Sequence, residues 1–295
     1  MKKIKKEDIN EDVFILYNEY AHNRITRRDF VQKLSIYAVG GLTVPALLSF
    51  LSPKYEDTLQ VTADDPSITS SYITFHSPKG AGEVKGLLAK PADSKDQLGA
   101  IVVVHENRGL NPYVEDVARR AAKAGFLVLA PDALTPLGGY PGNDDEGREL
   151  QAKRDSNAML EDFISAAEYL RKHENSNGKI GVVGFCFGGW ISNMKATRLP
   201  YLKAAVPFYG RQAPITEVPA INAPLLLQFA EHDAGVNAGW PEYEEALKKN
   251  GKSYTAHIYA GTHHGFHNDS TPRFDPKAAE LAWNSTLEFF RTHLS

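Results

Sequence analysis

The stretch Gly184-Phe185-Cys186-Phe187-Gly188-Gly189 decides the fold, because it places the only cysteine of the 295-residue chain on a tight turn. The run before the turn, Ile180 to Val183, is short, apolar and β-branched, which indicates a buried strand. The flanking glycines leave room for a strained bend and for close packing of a following helix. This is the pattern of a nucleophile elbow, which holds a reactive side chain clear of its own backbone. For the motif taken alone, a small buried structural cysteine is the alternative.

An elbow nucleophile needs a base to take its proton and an acid to orient that base. In α/β-hydrolases the acid comes first and the histidine follows, each after a strand. Here the strand-like run Pro224 to Phe229 precedes Asp233, and the run Ser253 to Tyr259 precedes His264. Functional groups collect at the carboxyl ends of parallel strands, so the order and placement of these residues favour a catalytic role for Cys186.

At these residues the chain resembles the dienelactone hydrolase family, also called carboxymethylenebutenolidases, a cysteine-based branch of the α/β-hydrolases. The resemblance covers residues 71–295. It implies a mainly parallel sheet flanked by helices and an enzyme that cleaves an ester or lactone. It assigns the nucleophile to Cys186, the acid to Asp233 and the base to His264 of the G-x-x-H-x-F loop. The intermediate implied is a thioester.

The segment Val102 to Leu110 resembles the loop in which the family keeps a glutamate against the resting thiol, and Glu106 occupies that position. A protonated resting thiol is protected from oxidation, which supplies a physical reason for such a contact. The backbone amides of Phe187 and Asn107 are the expected oxyanion donors. A solvated loop carboxylate is the alternative for Glu106.

Candidate substrate contacts come from arginines and from a long loop after the fourth predicted strand. The family's archetypal members bind a dianionic lactone through arginines, one of them four residues after the catalytic histidine, and here that position is Asn268. The residues 131–147 contain too much glycine and proline for a helix or strand, and such a loop commonly covers a pocket. Tyr140, Arg148 and Arg211 are the candidate substrate-binding residues.

Alternating patterns indicate a mainly parallel α/β sheet. The predicted strands cover residues 71–75, 84–89, 100–104, 126–130, 180–183, 204–208, 225–229 and 254–259. The predicted helices cover residues 114–124, 149–172, 188–196, 243–249 and 277–293.

The composition indicates a globular enzyme and excludes several other classes. The formal net charge is −3, and no basic patch interleaved with aromatic residues points to nucleic acid. No C-x-x-C, H-E-x-x-H, Walker or dinucleotide motif is present, so neither a metal nor a cofactor is expected. A single cysteine cannot form an intrachain disulfide. The expected partner is a small ester or lactone, and the oligomeric state stays open.

The amino-terminal residues 1–60 are interpreted as a segment distinct from a hydrolase domain at residues 65–295. The run Thr26 to Lys33 resembles a twin-arginine export motif, and a mostly apolar stretch, Leu34 to Leu51, follows it. Acidic residues before the arginines, Pro45 within the apolar stretch and the lack of a clear cleavage site argue against export. Periplasmic export, cytoplasmic retention with a degenerate signal, and a helix that contacts a membrane or a partner subunit all stay open.

Two other functions are compatible with the same motif. A peptidase or acyl transferase could use the same three residues, and a binding or sensor module could use Cys186 to report oxidants. Ester turnover together with the state of Cys186 separates these alternatives.

Overall fold

A computed structural model describes residues 4–295, in which eight strands form one mainly parallel sheet. The spatial order is β1-β2-β4-β3-β5-β6-β7-β8; β2 is antiparallel to both β1 and β4, and the remaining neighbours are parallel. The strands are β1 Ile68–Ser77, β2 Gly82–Pro91, β3 Leu98–Val104, β4 Leu127–Pro131, β5 Ser176–Phe185, β6 Ala204–Phe208, β7 Leu225–His232 and β8 Tyr254–His263.

Ten α-helices accompany the sheet within the described residues, three of them before the first strand. They are α1 Glu11–Ala21, α2 Arg27–Leu34, α3 Val44–Leu51, α4 Pro112–Lys123, α5 Asp144–Ala152, α6 Ser156–Lys172, α7 Phe187–Arg198, α8 Ala234–Asn237, α9 Trp240–Lys249 and α10 Pro276–Leu294. Short 3-10 turns lie at Lys6–Asp8, Ser35–Tyr37, Thr135–Leu137 and Ile215–Ala220. The predicted α/β-hydrolase architecture is confirmed, and each predicted strand is present.

The single helix predicted over residues 149–172 is wrong, because two helices occupy this region. The chain breaks at Asp155, whose side chain accepts a hydrogen bond from the Ala158 amide (2.8 Å) and begins α6. The loop predicted over residues 131–147 also ends early. Asn143 accepts a hydrogen bond from the Glu146 amide (3.1 Å) and begins α5 at Asp144. In both places a capping side chain starts a helix that periodicity alone did not locate.

Two apolar cores cover the two faces of the sheet. One core joins β3, β5 and β7 to α6, α7 and α9, and the other joins the opposite face to α4 and α10. Buried residues such as Val103 and Val183 are fully enclosed. Because both faces are covered, the loops after the carboxyl ends of β3, β5, β7 and β8 are free to carry functional groups at one sheet edge.

The amino-terminal helices α1, α2 and α3 have a third core of their own, which includes Val13, Phe30, Leu34 and Leu47. Thr26 is the N-cap of α2 and forms a capping box with Asp29, so the twin-arginine-like motif begins a helix. Within residues 4–295 no helix combines the length and the apolar character needed to cross a bilayer. Export and membrane contact by this segment stay predictions, as does the division of the chain near residue 60.

Candidate active site

The turn after β5 holds Cys186 in a strained backbone conformation. Cys186 has φ 56° and ψ −109°, a backbone conformation that residues other than glycine rarely adopt. Its amide donates to the Phe208 carbonyl (3.1 Å), which ties the turn to β6. A Cβ at Gly188 would lie 2.4 Å from the Val104 carbonyl oxygen, so this position requires glycine. These contacts keep the Cys186 side chain at the amino end of α7, at the carboxyl edge of the sheet.

The loops after β7 and β8 bring an acid and an imidazole to the same edge. His264 Nδ1 and Asp233 Oδ2 lie 2.6 Å apart, and both side chains are buried. A ring nitrogen of His264 lies within 4.8 Å of the Cys186 sulfur. Nε2, the ring nitrogen that catalysis would use, is buried and has no hydrogen-bond partner among the described residues. An unpartnered buried ring nitrogen beside a cysteine sulfur is suited to proton transfer.

The charges of these groups shift one another's pKa values. Burial alone would raise the pKa of the Cys186 thiol, but the positive charges of His22 and His264 outweigh burial and lower this pKa to about 6. Burial alone would lower the pKa of His264, but the Asp233 carboxylate and the Cys186 sulfur raise it to about 10. The pKa of Asp233 lies below its ordinary value, because the histidines offset its burial. A thiolate, an imidazolium and a carboxylate are therefore favoured together near neutral pH.

A pocket of about 320 Å³ opens on the sulfur. It brings together most of the residues selected from the sequence, and its lining includes Cys186, Asp233, His264, Phe187, Asn107 and Arg211. Arg211 lies with its guanidinium carbon 5.8 Å from the centre of the Trp190 ring. The pocket is therefore polar at its reactive end and partly aromatic along its wall.

Tyr140 and Arg148 line a different pocket, between the 131–147 region and the amino-terminal helices. The Tyr140 hydroxyl donates to Asp144 (2.9 Å), and the Arg148 guanidinium donates to the Asn23 side chain and lies over the Tyr20 ring at 4.4 Å. In this structure both side chains form their polar contacts with other side chains of the protein. Their predicted role in binding substrate stays a prediction.

Comparison with known proteins identifies the family. The profile of the dienelactone hydrolase family matches residues 84–294, which is more than two thirds of the chain. The chain belongs to the dienelactone hydrolase family. Residues 1–40 match a second profile, described as YqhI-like. The family member is thus a hydrolase of the ester- and lactone-cleaving type, and the amino-terminal segment carries a sequence signature of its own.

Several relatives support the membership. A protein of Escherichia coli K12 named "Putative hydrolase fragment YghX" is 59% identical over 114 residues, which cover 39% of this chain and 97% of that protein. Protein usf of Aquifex pyrophilus is 32% identical over 229 residues, covering 74% of this chain and 96% of that one. A Bradyrhizobium protein named "Probable 2-oxo-3-(5-oxofuran-2-ylidene)propanoate lactonase" is 31% identical over 221 residues, covering 70% and 88%.

Solved structures agree on the fold. The dienelactone hydrolase of Anabaena variabilis superimposes with a TM-score of 0.59 at 21% identity, covering 78% of this chain and 100% of that one. The dienelactone hydrolase-like promiscuous phosphotriesterase P91, from metagenomic libraries, superimposes with a TM-score of 0.67 at 18% identity, covering 78% and 100%. At these identities both comparisons bear on the fold alone.

Glu106 makes a different contact from the one that the family resemblance implies. It is buried, and its Oε2 accepts a hydrogen bond from Asn268 Nδ2 at 2.9 Å. Asn268 stands at the position where the archetypal members have an arginine. In this dienelactone hydrolase family member, the side-chain amide at that position binds Glu106. The predicted contact between Glu106 and the resting thiol is not among the hydrogen bonds of the described residues.

The sulfur instead contacts a histidine that the sequence analysis did not select. His22 Nε2 lies 3.3 Å from Cys186 Sγ, and the His22 and His264 rings meet edge to face with centroids 4.6 Å apart. His22 follows α1 and is 164 residues from Cys186 in the chain. The YqhI-like match over residues 1–40 is the signal that could have directed attention to this segment.

The same three side chains are the described residues that could hold a metal ion. The ligand atoms of His22, Cys186 and His264 lie within 4.8 Å of one another. Each histidine uses its other ring nitrogen in a hydrogen bond, as orienting partners of imidazoles do both in metal sites and in acid–base catalysis. The sequence prediction that the protein uses no metal stays untested.

Proposed function

We propose that this dienelactone hydrolase family member cleaves small esters or lactones through Cys186, His264 and Asp233, with a thioester intermediate. The observation that carries the proposal is the 2.6 Å contact between His264 Nδ1 and Asp233 Oδ2 next to a cysteine on a strained elbow. A carboxylate at Nδ1 fixes the proton there and directs Nε2 toward the nucleophile, which is the role of the acid in a catalytic triad.

Acylation begins when the Cys186 thiolate attacks the carbonyl carbon of the substrate. The electron pair of the C=O double bond moves to oxygen, and the tetrahedral intermediate then expels the alcohol oxygen. The His264 imidazolium gives its Nε2 proton to this leaving oxygen, which leaves a thioester on Cys186 and a neutral imidazole. The elevated pKa of His264, about 10, supports an imidazolium at the start of the step.

Deacylation uses the imidazole that acylation produced. His264 takes a proton from water, the resulting hydroxide attacks the thioester carbon, and the C–S bond breaks to regenerate the thiolate. The products are a carboxylic acid and, from the first step, an alcohol; a lactone yields both groups on one molecule. The backbone amides of Phe187 and Asn107, both on the pocket wall, are the proposed donors to the oxyanion in each step.

The pocket supports a compact substrate that carries an acidic group. Its volume of about 320 Å³ suits a small molecule, and Arg24 and Arg211 line it together with Trp190 and Tyr209. Since Asn268 stands at the family's arginine position, Arg211 is the proposed cation facing the substrate. The name of the Bradyrhizobium relative specifies a lactone that bears a carboxylate, which is compatible with this assignment.

The test combines turnover with detection of the covalent intermediate. Hydrolysis of p-nitrophenyl esters and simple lactones, with and without a carboxylate, is measured for the wild type and for Cys186→Ala. Mass spectrometry after rapid quenching should show an acyl adduct on Cys186, the sole cysteine of the chain. We expect the alanine variant to lose turnover and adduct, and Arg211→Gln to raise KM for carboxylate-bearing substrates alone.

Turnover that survives Cys186→Ala would contradict the nucleophile assignment. An amide panel and added alcohol or thiol acceptors test the peptidase and acyl transferase alternatives with the same preparation. Reaction of Cys186 with peroxide in the absence of turnover on any panel would instead support an oxidant-sensing role.

A further inference from the structure

His22 reaches the reactive sulfur from outside the part of the chain that matches the hydrolase family. Its Nε2 is 3.3 Å from Cys186 Sγ, whereas the family profile begins at residue 84. Sulfur hydrogen bonds are longer than those of oxygen, so this separation is a direct contact. The proposed nucleophile therefore has two imidazoles beside it, and only His264 belongs to the triad.

The second nitrogen of His22 fixes the chemistry of the first. His22 Nδ1 lies 2.8 Å from the Asn18 carbonyl oxygen. A carbonyl oxygen can only accept, so Nδ1 carries a hydrogen and the neutral ring presents a lone pair at Nε2. That lone pair can take the proton of the thiol, after which Nε2–H donates back to the thiolate. The contact persists through the transfer.

The end of α1 supports a positive charge on His22. The residue is the C-cap of the helix, and its amide bonds to the carbonyls of Asn18 and Tyr20. The carboxyl end of a helix carries partial negative charge, which stabilises an imidazolium placed there. The cation formed by proton transfer is therefore favoured by its own helix as well as by the thiolate.

Residues 65–295, called here the hydrolase body, hold the end of α1 at the site through three contacts. Asn107 Nδ2 donates to the Ala21 carbonyl at 2.5 Å, the Tyr20 hydroxyl donates to Asp145 at 2.8 Å, and the Arg148 guanidinium donates to Asn23. The two residues before His22 and the one after it are thus fixed by the body. Such anchoring is what a side chain needs if its position is to matter for chemistry.

We infer that His22 is a catalytic residue that takes the Cys186 proton, so that the amino-terminal segment completes the active site and the enzyme rests as a thiolate–imidazolium pair. The inference rests on the proposed role of Cys186 as nucleophile. In this step the S–H bond breaks and an Nε2–H bond forms. His22 keeps that proton throughout turnover, while His264 transfers its own proton to the leaving oxygen and recovers one from water.

This assignment also accounts for Glu106. A glutamate can contact a neutral thiol, but a thiolate would repel it, because both groups are negatively charged. Here Asn268 binds Glu106, and the sulfur has an imidazole in contact. Besides His22, the titratable or charged groups that line the pocket at the sulfur are His264, Asp233, Tyr209, Arg24 and Arg211. Burial and the nearby Glu106 carboxylate raise the pKa of Tyr209.

The single cysteine makes the thiolate directly measurable in the full-length protein. Ultraviolet thiolate absorbance and the iodoacetamide alkylation rate are followed against pH for the wild type, His22→Gln and His22→Ala. The control is His257→Gln, which changes an exposed histidine on β8. Each titration is run with and without chelator, and each variant is checked by circular dichroism.

In the wild type we expect a titration midpoint near 6. Both His22 variants should shift it upward by about one to two pH units, toward the ordinary thiol value of about 8.5, and slow alkylation at pH 6 by about five- to fiftyfold. The acidic limb of kcat/KM should move by the same amount. His257→Gln should titrate like the wild type. His22→Gln retains a polar side chain of similar size, so it provides the answer if His22→Ala does not fold.

Two results would overturn the inference. One is an unchanged midpoint in His22→Gln, since His264 alone would then sustain the thiolate. The other is a wild-type midpoint that is low without chelator and ordinary with it, since a bound metal ion would then be responsible. Because titration needs no substrate, the absence of an acyl adduct would count against the proposed function while leaving these results interpretable.

Discussion

At the scale of single residues, the site depends on a small set of buried polar atoms. Asp233 and His264 are both almost fully buried, and their contact leaves His264 Nε2 buried without a hydrogen-bond partner among the described residues. The sulfur beside it sits on a residue with positive φ. Strain and an unsatisfied group both cost stability, and such costs concentrate at functional sites.

Asp233→Asn tests the orienting role of the acid. An amide in place of the carboxylate can donate to Nδ1, which would put the proton on the wrong nitrogen, and it removes the charge that stabilises the imidazolium. We expect kcat to fall by about 10³–10⁴-fold with an unchanged fold. The measurement is ester hydrolysis with circular dichroism. Glu242→Gln, an exposed carboxylate on α9, is the control and should keep full activity. A loss confined to KM would contradict the assignment.

Lys195→Met tests an isolated buried amine outside the site. Lys195 is fully buried in α7, and its Nζ has no partner among the described residues. Burial lowers its pKa to about 7 from the usual 10.5. The folded protein then binds fewer protons than the unfolded chain between these two values, so wild-type stability rises with pH across this range. The penalty is fully present below pH 7 and absent above pH 10.5.

The methionine variant lacks that penalty and fills a similar volume. We expect it to unfold with a free energy higher by roughly 2–5 kcal/mol at pH 6, with the difference shrinking as the pH rises toward 10. Urea unfolding at several pH values is the measurement, and Lys203→Met, at an exposed position, is the control. A difference that is constant with pH would indicate packing and not titration.

At the scale of elements, the anchoring of α1 is the least expected feature. Asp145, at the start of α5, accepts from Tyr20 (2.8 Å) and pairs with Arg27 (3.1 Å) of the amino-terminal segment. Asp145→Ala removes both contacts. We expect faster proteolysis between α1 and α2, because the helix end that covers the sulfur loosens. We also expect faster alkylation of Cys186 at about pH 10, where the thiol is ionised whether or not His22 contacts it. Asp12→Ala, which removes an exposed contact to Tyr37, should change neither rate. Equal rates of proteolysis and of alkylation in the two variants would contradict this role for Asp145.

The sequence predicted the elements that local patterns encode. Short β-branched runs located the eight strands, and acid and histidine loops after β7 and β8 located Asp233 and His264. Helix boundaries at Asn143 and Asp155 were missed, because a capping side chain competes with apolar periodicity. His22 was missed because its contact joins residues far apart in the chain and depends on how a helix docks, which no local pattern reports.

At the scale of the whole molecule, the residues between α3 and β1 join the amino-terminal core to the sheet. Two backbone amides of this connector, at Gln60 and Val61, donate to the buried Asp116 carboxylate of α4 at 3.1 and 2.7 Å. The Arg120 guanidinium pairs with Asp116 and, at 2.5 Å, with Asp269 in the loop after β8. One buried network thus binds the connector, a helix and the loop that follows His264.

Asp116→Ala should therefore weaken the whole protein. It leaves two connector amides without their acceptor and a buried arginine with one partner instead of two, a change that typically costs about 3–5 kcal/mol. Urea unfolding should show a lower midpoint with an unchanged slope, and hydrogen exchange should quicken at Gln60 and Val61. Asp65→Ala provides the matched control, since Asp65 joins the same connector to the same helix through the half-exposed Lys123. It should lose much less stability, because solvent screens that pair. Equal losses in the two variants would mean that any connection between connector and helix suffices, and that burial of the Asp116 network adds nothing.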